Sequence, residues 1–237
     1  MTDPKLFKEA FQLKESNCTV VSDKQNGIET ARASIQHHRE QLEAYIKDNP
    51  RFLYSLEPVT VDAGPRVAVL MALAAKRANV GPMAAVAGVL ADLAVQDMLK
   101  TGCKVAVVEN GGEISATSNQ PIDIGFAAGE QPLSNEMAFR LKQFPIGVAT
   151  SSGQFSHAFS FGDADAVTIF AVDAGVADAT ATAVANLIKG DNPDAVIRAG
   201  IQTALNIEGV TGVFILYCGT VGKAGQIPEM VKVNQKT

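Results

Sequence analysis

Apolar residues recur at helical spacing most clearly over residues 26–50, NGIETARASIQHHREQLEAYIKDNP, where Ile28, Ala31, Ile35, Leu42, Tyr45 and Ile46 share one face and Pro50 stops the pattern. The spacing predicts one long amphipathic helix. Ahead of it, strand-like runs at 6–13 and 18–22 around KESN predict a hairpin. After it come two Ala-rich helices, about 65–78 and 82–99, divided by Asn79, Gly81 and Pro82, and then strands KVAVVE and EISAT turning at Gly111 and Gly112. In the second half, strands near 146–151, 157–161 and 166–172 precede a helix at about 175–189, and GDNP separates that from a helix at 193–207. Two final strands, GVFILYC and QIPEMVKV, are predicted to close the chain around GTVGKAG.

Each half thus reads as a hairpin, a group of helices and a second hairpin, with pseudo-repeat halves at about 1–120 and 140–237 inside one domain of residues 1–237. Adjacent strands joined by tight turns, with helices segregated to one face, predict a two-layer α+β fold with an antiparallel sheet, built from duplicated units. Continuous apolar runs such as VAVV and VTIFAV also occur in parallel sheets, but strands that arrive in neighbouring pairs favour hairpins.

Composition narrows the function classes. The chain has 237 residues, 47% of them hydrophobic and 19% charged, which is enough apolar material for a sizeable core. A net charge of −5 supplies no broad basic field, so neither nucleic acid nor an anionic membrane surface is an expected partner. The start MTDPKLFKEA lacks an apolar targeting core, and the most hydrophobic blocks, 67–75 and 83–95, are interrupted by KRANVGP and by Asp92, so no membrane span is expected. Cys18, Cys103 and Cys218 form no C-x-x-C pair, as expected of a reduced, cytoplasmic protein with buried thiols. The smooth Ala-Val-Gly surfaces of 67–95 leave a homo-oligomer open.

Four stretches carry candidate chemistry. In VADATATAV, 176–184, Asp178 and Thr182 stand one helical turn apart and can present oxygen to one point, as a hard cation such as Mg²⁺ requires. The same pair also fits ordinary helix-start chemistry, with the acid favoured by the helix dipole. NVGPMAAVAG, 79–88, puts Gly81 and Pro82 at a helix start, with Ala84 and other small residues in its first turns, where backbone N–H groups can meet a phosphate. In VVENGGEIS, 107–115, Asn110, Gly111, Gly112 and Glu113 form a turn that a ligand can approach closely. VATSSGQFSH, 148–157, adds Ser151, Ser152 and Gly153 at a strand end, with Ser151 and His157 as candidate catalytic groups.

In that order, the Gly-rich helix start, ENGGEI, ATSSG and VADATATAV resemble the ApbE superfamily, and NVGPMAAVAGVLAD with VENGGEI is similar to its short relatives in archaea and anaerobic bacteria. The resemblance implies a duplicated T-fold, binding of FAD with Mg²⁺, and transfer of FMN to a threonine of a protein partner. It places the metal on Asp178, Thr182 and a backbone oxygen near Ala84. This chain departs from the pattern in two places. Residues 84–87 read AAVA where a lysine is usual, and His157 follows Gly153 by four residues without a Pro-x-Thr-Gly stretch. The implied function is therefore binding of a flavin or other nucleotide with Mg²⁺ at a site whose transferase chemistry is incomplete. Kinship with the short relatives also implies an alternative, an accessory protein that works with a partner in sulfur assimilation, incorporating sulfide into homocysteine, with Cys103 near the site. A scaffold that kept the fold and lost the chemistry is the third reading.

Overall fold

The computed structural model describes residues 5–125, 137–151 and 163–232. Its framework is an eight-stranded sheet in the order β1-β2-β3-β4-β7-β8-β9-β10, formed by Phe7–Leu13, Ser16–Ser22, Ala106–Asn110, Glu113–Thr117, Ile146–Ser151, Ala166–Ala171, Val210–Tyr217 and Thr220–Gly225. Every neighbouring pair is antiparallel. The helices are α1 (Gln25–Asp48), α2 (Pro50–Tyr54), α3 (Arg66–Ala78), α4 (Val86–Lys100), α5 (Ala174–Ala185) and α6 (Pro193–Leu205), with a 3₁₀ turn, Pro82–Ala85, leading into α4.

These helices lie on one face of the sheet, because alternation sends one set of strand side chains to them. Val20, Ala106 and Val108 pack under α1 and α4 with Ile28, Ile35, Ala94 and Met98, and Ala149, Val167, Ile169, Val213 and Ile215 pack under α3, α5 and α6. The opposite set, including Val107, Ala116, Val148, Phe170 and Phe214, meets a second sheet. This is three-stranded, in the order β11-β6-β5, from Glu229–Lys232, Met137–Leu141 and Ile122–Gly125. The helix-on-sheet pair is thus the expected α+β arrangement, and the small sheet adds a layer over part of the free face.

Two sequence expectations need correction. GTVGKAG is not a turn: residues 220–225 form β10, paired with β9 from Thr220↔Tyr217 to Gly225↔Gly212. The actual turn is Cys218–Gly219, both at positive φ. Gly222 is a strand residue because α6 lies so close that a Cβ there would stand 2.1 Å from Cγ2 of Ile197. QIPEMVKV therefore does not pair with GVFILYC; its residues 229–232 pair with β6. Pro50 ends α1 as expected, yet it also opens a second helix as its first residue, where its missing N–H costs nothing. The strand expected at 157–161 lies outside the described residues. The apolar run Pro82–Lys100 is long enough to cross a membrane by length and composition, but most of it is buried.

Candidate functional site

The site is organised by the crossing of α4 and α5, which approach so closely that only glycine fits between them. A Cβ on Gly88 would lie 2.2 Å from the carbonyl oxygen of Ala174, and one on Gly175 would lie 2.6 Å from Cγ2 of Val89. At this contact the helices cap one another. Asp92 of α4 accepts hydrogen bonds from Ala174 N (3.0 Å) and Gly175 N (2.9 Å) at the start of α5. Asp178 of α5 accepts from Gly88 N (3.0 Å) in the first turn of α4. A helix start leaves N–H groups without intrahelical acceptors and carries partial positive charge, so each carboxylate meets a need that the other helix cannot meet from its own sequence. The cap of α5 itself is Asp173, whose Oδ1 accepts from Val176 N at 2.7 Å.

This geometry shows what Asp178 bonds within the protein. It does not cap its own helix. It caps α4 across the crossing, so the backbone N–H of Gly88, expected to be open to a phosphate, is already held by the protein's own acid. Gly81 and Pro82 are buried, and a Cβ on Gly81 would stand 1.8 Å from the Ser55 carbonyl oxygen, so this glycine serves close backbone packing. Ala84 is half-buried, and its N–H donates to Gly81 O at 3.1 Å.

The turn between β3 and β4 completes the cluster. Asn110 Nδ2 donates to Ala87 O (3.1 Å), and Cys18 Sγ donates to Asn110 Oδ1 (3.5 Å), which ties the turn to α4. Gly111 and Gly112 both have positive φ, and Gly111 N donates to Asn17 O at 2.9 Å. Glu113 follows on the helix side of the sheet. Burial and then the charge of Glu109 push its carboxyl up to about 7. Asp178 is held well above the usual carboxylate range by burial first and by Glu113 second. No Lys or Arg among the described residues pairs with either acid. Two half-buried carboxyls, Asp178 raised in part by Glu113, without a cationic partner among the described residues supply oxygens of the kind a hard divalent cation takes. Thr182, half-buried and one turn beyond Asp178, brings a hydroxyl on the same helix.

Ser151 ends β7 half-buried, on the same side of that strand as Ala149, which faces the helices. Ser152, Gly153 and His157 lie outside the described residues. Cys103 is not near the cluster. It follows the C-terminal end of α4, on the order of 20 Å along that helix from its start, where it is buried and accepts from Ser22 Oγ at 3.4 Å. Cys18 is the thiol beside the site, and burial pushes it up to about 11, so it stays a neutral donor. Asp92 and Gly88 were not singled out from sequence as site residues. The one available signal was a single acid inside the apolar run GVLADLAV, which a core helix keeps only for a partner.

Beside the start of α4 opens a cavity of about 590 Å³, with Leu42, Ile46, Leu53, Met83, Val86 and Leu90 in its walls. Its rim is an ion-pair network in which Lys14 meets Glu43 at 2.6 Å and Arg39 meets Glu15.

Comparison with known proteins agrees with this architecture. Residues 4–207 match the family model described as AbpE bacteria. Among curated relatives, a UPF0280 protein of Methanococcus vannielii is 39% identical over 236 residues, covering 98% of this chain and 95% of its own. One of Methanosphaerula palustris is 41% identical over 231 residues, with 95% and 94% covered. Among solved structures, the ApbE protein of Thermotoga maritima superposes with a TM-score of 0.62 at 16% identity over 93% of this chain and 97% of that one. The apo flavinyl transferase ApbE of Pseudomonas stutzeri gives a TM-score of 0.57 at 17% identity, with 95% and 96% covered.

Proposed function

This chain belongs to the AbpE bacteria family of ApbE-like proteins, and from that footing we propose that it binds a flavin nucleotide together with a divalent cation at the α4–α5 crossing. The observation that carries the reading is the meeting of Asp178, which caps Gly88 N, with Glu113, whose charge helps raise it, neither acid having a cationic partner among the described residues. Asp178 and Glu113, with the Thr182 hydroxyl, would hold Mg²⁺. When bound, the ion would polarise a pyrophosphate and neutralise the charge that develops on the leaving phosphate. Because Gly88 N–H is already taken by Asp178, these acids rather than the bare helix terminus would supply the means of holding a phosphate, through a cation.

The chain's own residues then have separable tasks. Asn110 fixes the β3–β4 turn against Ala87, one residue before the Gly88 N–H that Asp178 caps. Gly88 and Gly175 keep the two helices close enough for Asp178 to reach the start of α4. The apolar cavity beside Met83 and Val86 would take the planar ring system out of water, while Arg39 and Lys14 at its rim are paired with Glu15 and Glu43. Likeness of this fold to flavin transferases supports the choice of flavin over other nucleotides. Titration of the protein with FAD, FMN and ADP, with and without Mg²⁺, while following flavin fluorescence and thermal stability, tests the reading. FAD is expected to bind only with Mg²⁺, and Asp178→Asn to abolish the Mg²⁺ dependence. Equal binding of FAD with and without Mg²⁺, or no binding of any nucleotide, refutes it.

A further inference from the structure

The opposite side of the large sheet carries a second cavity. It measures about 380 Å³ and lies between the eight-stranded sheet and the three-stranded one. Its floor is the sheet face formed by Val21, Val107, Ile114 and Val148, and Ile122, Ile124 and Phe139 of the small sheet form the other wall.

Glu109 stands in the middle of this floor. The register places it in one cross-strand row, Ala10–Thr19–Glu109–Ile114–Val148. Its carboxylate is half-buried and has no ion-pair partner among the described residues. The other acid in the lining, Asp123, is satisfied by two bonds from Arg140, both 2.8 Å. Among the described residues Glu109 is therefore the one lining acid that lacks a cation. Lys8, on the edge strand β1, also lines the cavity and is likewise unpaired. At the far end, Thr150 and Thr168 hydroxyls meet at 2.9 Å. One proton serves that bond, which leaves the second hydroxyl free to donate elsewhere.

Two flat apolar walls, a lone acid on the floor and a lone base at the rim define a complementary ligand. We propose that this cavity is a second small-molecule site, for a ligand of amino-acid type: an apolar body between the two sheets, an ammonium on Glu109 and a carboxylate toward Lys8. Small-molecule sites typically span roughly 300–1,000 Å³, so this one falls at the small end and suits an amino acid rather than a dinucleotide. Charged hydrogen bonds to an acid already partly withdrawn from water are the strong kind, which makes Glu109 the determinant of ligand charge.

Three probes of equal ring size separate the terms: phenylalanine, 2-phenylethylamine and 3-phenylpropionate, titrated near pH 7 by calorimetry and ligand-observed NMR. The expected order is phenylalanine tightest, the amine next, and the carboxylate at least tenfold weaker than the amine. Glu109→Gln should weaken the amine at least tenfold. Lys8→Gln should weaken phenylalanine and leave the amine unchanged. Asp178→Asn should leave all three unchanged, so failure here is distinguishable from failure of the flavin reading. Binding of 3-phenylpropionate as tight as the amine, an unchanged amine affinity in Glu109→Gln, or no binding by any probe would overturn the proposal.

Discussion

Replacing Asp178 in two ways separates its structural duty from its duty toward a cation. Asp178→Ala removes the acceptor for Gly88 N, which is buried, and leaves the start of α4 uncapped. Losing a helix cap costs about 1 kcal/mol, and an unsatisfied buried N–H costs about 1–3 kcal/mol. The loss is offset in part, because the variant also relieves the burial of a carboxyl and its repulsion by Glu113 and Asp92. We expect a net destabilisation of about 1 kcal/mol, which for a chain of this size lowers Tm by roughly 2–4 °C. Asp178→Asn keeps an oxygen for Gly88 N and removes only the charge, so its metal-free Tm should stay within about 1 °C of the parent. The cation response should behave differently. At one hundred times its Kd, a bound cation stabilises the parent by about 2.7 kcal/mol, and both variants should lose that gain. The assay is thermal unfolding with EDTA and with millimolar Mg²⁺ plus FAD. If Asp178→Ala melts with the parent in EDTA, the cap across the helix crossing contributes nothing. If Asp178→Asn keeps the Mg²⁺ response, Asp178 is not a ligand.

Thr182→Val should leave the metal-free Tm unchanged and weaken Mg²⁺-dependent FAD binding about tenfold, measured by fluorescence titration; an unchanged affinity removes Thr182 from the site. Gly88→Ala forces a methyl into backbone 2.2 Å away, where no side chain can yield, and should cost about 3 kcal/mol or prevent folding, as read by circular dichroism and urea unfolding. A normal urea midpoint would contradict the close crossing. Asp92 provides a pH test. Burial and then Asp173 push its carboxyl from the ordinary 3.8 up to about 6. The folded state therefore holds this proton more tightly than the unfolded chain does. The stabilisation is complete below about pH 4 and is lost as pH rises through 6, amounting to about 3 kcal/mol at most. Asp92→Asn cannot titrate, so the stability of the parent relative to this variant should fall between pH 4 and pH 7; a difference independent of pH refutes the assignment.

Much of the fold was legible because its signals are local. The 3.6-residue spacing of Ile28, Ile35 and Leu42 follows from helix geometry alone and marks the buried face of α1. Pro82 can occupy a helix start at no cost, and two glycines can take positive φ, so the entry to α4 and the β3–β4 turn were both readable. Strands arriving in pairs indicated antiparallel order, and the helix face of the sheet followed. Of the residues singled out, Asp178 and Asn110 both bond the first turn of α4, and Glu113 lies near enough to Asp178 to raise it. What each does was not readable, since that depends on residues far away in the chain. Gly222 and Gly225 read as a turn because a single sequence cannot show that α6 at one and the backbone of β9 at the other occupy the space a side chain would need. The small sheet joins residues 122–125 and 137–141 to 229–232, a pairing that no neighbouring residue announces. The reciprocal capping of α4 and α5 is the plainest case. An Asp four residues before a Thr carries the same local chemistry whether it caps its own helix, binds a metal or caps another helix. Only the approach of two helices through Gly88 and Gly175 brings that carboxylate to a foreign N–H and to a second acid, because capping and charge coupling act over a few ångströms of space and not along the sequence.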